Sequence, residues 1–133
     1  MSERKIIRVR DVMKTSFDMV DRLDTIESAL EKMEHVETKT LIVNKRDEHD
    51  EYGLLLFSDI ARQVLAKDRP LDRTNIYEIM SKPVIRVDPD MDIRYCARLL
   101  SRFHLSRAPV VSKGQILGIV SMTDMVMKGL RLR

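Results

Sequence analysis

Residues 118–125 read GIVSMTDM and residues 53–60 read GLLLFSDI. Each is a glycine and a short apolar run of the kind that fills a strand, then a hydroxyl-bearing residue followed by aspartate, the composition of a helix start. Finding this corner twice in one chain of 133 residues points to a duplication. Working outward, KTLIVNK matches RAPVVSK after one extra residue in the second copy, which sets Lys39 against Arg107. Further upstream, RDVMKTSFDMVDRLDTIESAL lies against YEIMSKPVIRVDPDMDIRYCA, with Met13 over Met80, Val20 over Val87 and Ile26 over Ile93. The separation is 67 residues upstream and 65 at the two glycines. That period is too long for the common solenoids and reads as a duplicated subdomain whose copies complete each other.

Each copy has the same grammar. A short strand is expected near Phe17 to Val20, and near Val84 to Val87 in the second copy. Asp24 followed by Glu27 looks like a helix cap, and Ile26, Ala29, Leu30 and Met33 recur at the spacing of one buried helical face. A hairpin follows from Thr40 to Val43 and Gly53 to Phe57, joined by a charged turn, and Ser112-Lys113-Gly114 marks a tighter turn in the second copy. The closing helices take Ser58 and Thr123 as expected caps. The fold class is therefore α+β, two βαββα repeats: residues 1–66, a polar linker KDRPLDRTN at 67–75 broken by Pro70, and residues 76–133. The strand-helix-strand crossovers are expected to be right-handed, and the open sheet faces can bury apolar surface only against each other.

Composition bounds the function. Hydrophobic residues make up 44% and charged residues 34%, the balance of a globular domain able to bury a core without disulfides. No apolar run approaches the roughly 18 residues of a spanning helix and no signal peptide follows the charged start, so a cytoplasmic location is the expectation. Residues 1–66 carry a net charge of −3 and residues 67–133 a net charge of +6, which favours the second half for a small anion. That excess, with few aromatics for stacking, is too small to argue for nucleic acid. His35, His49, His104 and the lone Cys96 show no metal-ligand spacing, and no P-loop, dinucleotide fingerprint or nucleophile-base grouping occurs. Neither an enzyme, a metal site nor a cofactor is expected. Asp88-Pro-Asp90-Met-Asp92 reads as a strand-to-helix turn with a cap, and the methionines as core fillers.

The corner has a chemistry of its own. Backbone N–H groups at the start of a helix lack intrahelical partners and favour an anion. Ser121 and Thr123 can add hydroxyl donors, whereas the acceptor-only carboxylate of Asp124 suits the two hydroxyls of a ribose. Arg107 can make a forked pair with phosphate. Ser/Thr-Asp at a helix start is also what ordinary capping looks like, and the two roles can coexist.

Taken together, VMKTSFDMV, SKPVIRVDPD, RAPVVSKGQILGIVSMTDM and GLLLFSDIA resemble the tandem cystathionine-β-synthase (CBS) domain pair, or Bateman module, over nearly the whole chain. The resemblance implies small mixed sheets packed face to face about a pseudo-two-fold axis, and an adenosine nucleotide such as AMP, ADP or ATP in the cleft between repeats. It implies a stronger site in which Ser121, Thr123, Asp124 and Arg107 supply polar groups and Phe17, Thr40 and Leu41 wall the adenine. A weaker site would use Ser58, Asp59 and Lys39, with Val84, Ala108 and Pro109 as walls; there Leu56 stands where the other copy has Ser121. A few charge-assisted bonds set the expected dissociation constant between about 1 mM and 1 μM. The resemblance also implies a homodimer and an effector protein that receives the signal, with a ligand-free interaction module as the competing reading.

Overall fold

A computed structural model describes residues 5–82 and 85–131. The first part of the chain forms α1 (Val9–Val12), β1 (Asp18–Val20), α2 (Ile26–Glu31), β2 (Thr40–Val43), β3 (Gly53–Leu56) and α3 (Phe57–Ile60), which widens into a π-helical stretch at Ala61–Leu65. Then come α4 (Ile76–Ile79), α5 (Ile93–Arg102), β4 (Arg107–Ser112), β5 (Gln115–Ser121) and α6 (Met122–Asp124), continued as a π-helical stretch at Met125–Leu130. These α+β elements make two compact units. The first unit is Ser16–Val84, and the second joins Met1–Thr15 to Ile85–Arg133. Packing thus crosses the repeat boundaries, because each copy's leading segment joins the other copy's hairpin.

In the first unit β1 lies parallel to β2, with Val20 beside Val43, and β2 pairs antiparallel with β3, with Thr40 opposite Leu56 and Val43 opposite Gly53. The crossover helix α2 buries Ile26 and Ala29 against Val20, Leu41, Val43, Leu55 and Val64. Its cap is Thr25, whose Oγ accepts from the Ser28 amide at 3.1 Å, and not the expected Asp24. Asp24 is held one residue outside the helix because its carbonyl accepts from the Ile76 amide at 2.8 Å. The stretch read as a linker is built into this unit. The Thr74 and Leu71 carbonyls accept from the Ile26 and Glu27 amides of α2, and Thr74 is buried.

The second unit repeats the plan with differences. Its hairpin turns through Lys113 and Gly114, both at positive φ (52° and 76°), the two-residue turn whose twist matches the flanking strands. The strand expected at Val84–Val87 is represented by one parallel bridge from Val87 to Val110, and Val84 lies outside the described residues. Helix α5 is capped by Asp92, which accepts from the Arg94 amide at 2.9 Å, as the Asp-rich turn led one to expect. It buries Ile93, Cys96 and Leu100 against Val87, Val110 and Val120. Burial pushes the Cys96 thiol up to about 11, leaving a small apolar side chain in the core.

The exchanged segments are clipped on by main-chain bonds. Lys14 and Ile119 exchange two backbone hydrogen bonds of 2.9 Å, and Ser81 and Leu54 exchange two of 2.9 and 2.7 Å. The glycine before each clip permits this approach: a Cβ on Gly118 would collide with the Lys14 carbonyl oxygen, and one on Gly53 would lie 2.9 Å from Met80 Sδ. Gly118 is therefore explained by a second backbone reaching the sheet edge, and Gly53 by the Met80 and Val43 side chains that close over it.

Candidate functional site

The pairing register decides which residues of the two corners correspond. Arg107 stands opposite Ser121 in the second hairpin, and Thr40 stands opposite Leu56 in the first. Lys39 and Ser106 form the matching pair just outside, because their carbonyls accept from the Phe57 and Met122 amides. The counterpart of Arg107 is thus Thr40 and not Lys39. The separation stays at 67 through Val43 and Val110, and falls to 65 only across the hairpin turns. Lys39 is an exposed residue in left-handed conformation ahead of β2.

In the second unit β5 delivers Ser121 into α6 as its cap, with Ser121 Oγ accepting from the Asp124 amide at 3.1 Å. The expected cap, Thr123, lies inside the helix and is exposed. Because a hydroxyl satisfies the backbone, both Asp124 oxygens are left to other partners. Oδ2 lies 2.5 Å from Lys14 Nζ, and Oδ1 lies 3.9 Å from Lys128 Nζ. The Asp124 side chain is 8% exposed and that of Lys14 26%. Burial pulls the Arg107 guanidinium below its usual pKa, and the charge of Asp124 opposes that shift, so the two belong to one electrostatic cluster. Ala108 and Pro109 follow Arg107 along β4 and are buried.

The first unit's corner is wired differently. Leu56 caps α3 without a hydroxyl, and its amide instead donates to Asp59 Oδ2 at 3.1 Å. The other oxygen of Asp59 accepts from Arg62 at 2.9 Å. Ser58, the expected cap, is an exposed residue of the helix, because the strand passes into α3 two residues earlier than the Ser-Asp pair suggests. Thr40 is fully buried with its hydroxyl donating to the Thr38 carbonyl at 2.9 Å, Leu41 is fully buried, and Phe17 is half-buried just before β1. A cavity of about 240 Å³ opens at the far end of the same strands, bordered by Asp18, Val20, Asp21, Asp24, Lys32 and Asn44. Two of its carboxylates serve the backbone, Asp18 accepting from the Glu34 and His35 amides, both at 2.9 Å, and Asp24 from the Asp21 amide, while Asp21 accepts from Asn44 Nδ2 at 3.3 Å.

Lys14 is the member of the second corner that sequence reasoning missed. It is separated from Asp124 by 110 positions, and its counterpart Ser81 carries no charge. Lys128, four residues beyond Asp124 on the same helical path, was within reach of spacing arguments.

Comparison with known proteins agrees with the fold. The CBS domain model matches residues 76–130. A hexameric CBS-CP12 protein from bloom-forming cyanobacteria superposes with a TM-score of 0.88 at 30% identity, over 94% of this chain and 69% of that one. An uncharacterised protein of Methanopyrus kandleri is 31% identical over 76% of this chain, which spans only 51% of that relative's length. The CBS domain-containing protein YhcV of Bacillus subtilis is 26% identical, over 88% of this chain and 81% of its own. The chain belongs to the CBS-domain family. No helix among the described residues is long and apolar enough to cross a membrane.

Proposed function

We propose that the chain is a non-catalytic regulatory module that binds an adenosine nucleotide at the Ser121–Asp124 corner of its second unit. The observation that carries this reading is the division of labour there. Ser121 satisfies the helix backbone, so the buried carboxylate of Asp124 keeps both oxygens for partners such as ribose hydroxyls. Arg107 and Lys128 supply cations beside it for phosphate. A ligand signals by binding one packing of the module more tightly than another. Isothermal calorimetry of the purified chain with AMP, ADP and ATP tests this, with Asp124→Ala as control. Binding in the micromolar to millimolar range (about 1 μM to 1 mM) that the substitution abolishes is expected; no binding, or unchanged affinity, rejects the reading.

A second reading, assembly into a homodimer or a docking module, has support in exposed apolar side chains of the second unit: Tyr95 on α5, with Val126, Met127 and Leu130 on the π-helical stretch, are each at least half exposed. Light scattering with and without nucleotide separates the two. A stable oligomer indifferent to nucleotide favours assembly, and a nucleotide-dependent mass favours the sensor.

A further inference from the structure

We infer that Lys14 makes the Asp124 corner select phosphate-bearing adenosyl ligands over uncharged or cationic ones; this rests on the nucleotide reading above. Lys14 is not a loose surface lysine. Its backbone is pinned to Ile119 by two hydrogen bonds, which sets its side chain beside Asp124, and its ammonium holds Oδ2 at 2.5 Å. The other oxygen faces the Lys128 ammonium. Two ammonium groups against one buried carboxylate leave an excess of one positive charge at the corner, before the neighbouring Arg107 is counted.

A ribose that donates hydroxyls to Asp124 takes over the oxygen that Lys14 now holds. The displaced ammonium then needs another anion within the short reach of its stem, because an unpaired charge in a partly buried site is costly. A phosphate on the same ligand supplies it. Adenosine offers no such group, and S-adenosylmethionine sets its single carboxylate against a sulfonium and an ammonium, for a net positive charge. The first unit provides an internal contrast, since Ser81 occupies the equivalent clip and Asp59 has its oxygens committed to Leu56 and Arg62.

Calorimetry of the full chain with ATP, AMP, adenosine and S-adenosylmethionine tests this, on the natural protein and on Lys14→Met and Lys14→Arg. AMP and ATP are expected to bind at least about tenfold more tightly than adenosine, with S-adenosylmethionine weakest. Lys14→Met is expected to lower nucleotide affinity by about tenfold while leaving or raising that for adenosine, and Lys14→Arg to keep the preference. Circular dichroism confirms that each variant is folded, and the nucleotide-to-nucleoside ratio is a readout that a purely structural lysine would not move. Equal affinity for AMP and adenosine, or a Lys14→Met variant that weakens all ligands alike, overturns the inference and leaves the nucleotide reading standing. Failure of every adenosyl compound to bind removes that reading, and this inference with it.

Discussion

The Asp59 and Asp124 corners descend from one sequence pattern, yet their carboxylates do different work. At Asp59 the capping residue is Leu56, so the carboxylate bends back to the Leu56 amide and its second oxygen goes to Arg62. At Asp124 the capping residue is Ser121, whose hydroxyl serves the backbone and releases the carboxylate to Lys14 and Lys128. The difference extends along the strand, where buried Thr40 replaces Arg107, and to the clip, where Ser81 replaces Lys14. Three replacements remove a hydroxyl and two cations from the first corner. One duplicated frame carries a structural helix start in one unit and an electrostatic site in the other.

The sharpest test concerns the clips. Gly118→Ala is expected to destabilise the chain by about 3 kcal/mol, because the new Cβ meets a backbone carbonyl that cannot move without breaking the Lys14–Ile119 bonds. Gly53→Ala should cost somewhat less, about 2 kcal/mol, since Met80 Sδ can yield and only Val43 Cβ must shift with its strand. Urea unfolding measures both, and equal losses would mean that the clips are not distinguished by what they press against.

A smaller effect separates the caps. Ser121→Ala is expected to cost about 1 kcal/mol in urea unfolding through loss of the bond from the Asp124 amide. Leu56→Ser should change stability by less than about 1 kcal/mol, the new cap offsetting the lost apolar burial. If the comparison is right, amide exchange at position 56 speeds up as Asp59 is released; unchanged exchange would show that Asp59 does not depend on the missing hydroxyl.

The hairpin turns differ as well. Lys113 carries a left-handed conformation that glycine adopts without strain, so Lys113→Gly should raise stability by about 0.5–1 kcal/mol. The longer loop of the first hairpin is organised instead by Asp50, held well below the carboxylate range by the Arg46 amide and the Lys82 ammonium. Thermal melts of the Lys113 variant check the first statement, and no gain would mean the turn is already unstrained.

The smallest effect at neutral pH lies in the helix caps. Asp92 caps α5 as a carboxylate, held down to about 2 by its side-chain and backbone bonds with Arg94, whereas Thr25 caps α2 with a hydroxyl that does not titrate in this range. A carboxyl lowered from 3.8 contributes stability above that value and loses it as pH falls toward 2. Amide exchange between pH 4 and pH 2 should therefore show the start of α5 loosening before the start of α2. Simultaneous loosening would point to a general acid effect.

Much of this architecture is legible in the amino-acid sequence. Apolar runs bounded by turns located both hairpins, helical spacing and the repeat located both crossover helices, and the Asp-rich turn located the α5 cap. The sequence misled at the other caps by one or two residues, since Asp24, Ser58 and Thr123 are all chemically good caps. Which residue takes the role depends on where the strand ends, and strand ends follow pairing. The Lys39–Arg107 match failed for the same reason: a gap placed by side-chain likeness fell before the strand, whereas the register places it in the turn.

The repeat pattern alone determined the duplication, the α+β class and the Ser121–Asp124 corner, because apolar periodicity and local capping chemistry are properties of neighbouring residues. Only tertiary structure decided that each copy lends its leading segment to the other's sheet, and that Lys14 meets Asp124. Those contacts join residues far apart in the chain through backbone hydrogen bonds, which any residue type can make and no local pattern announces.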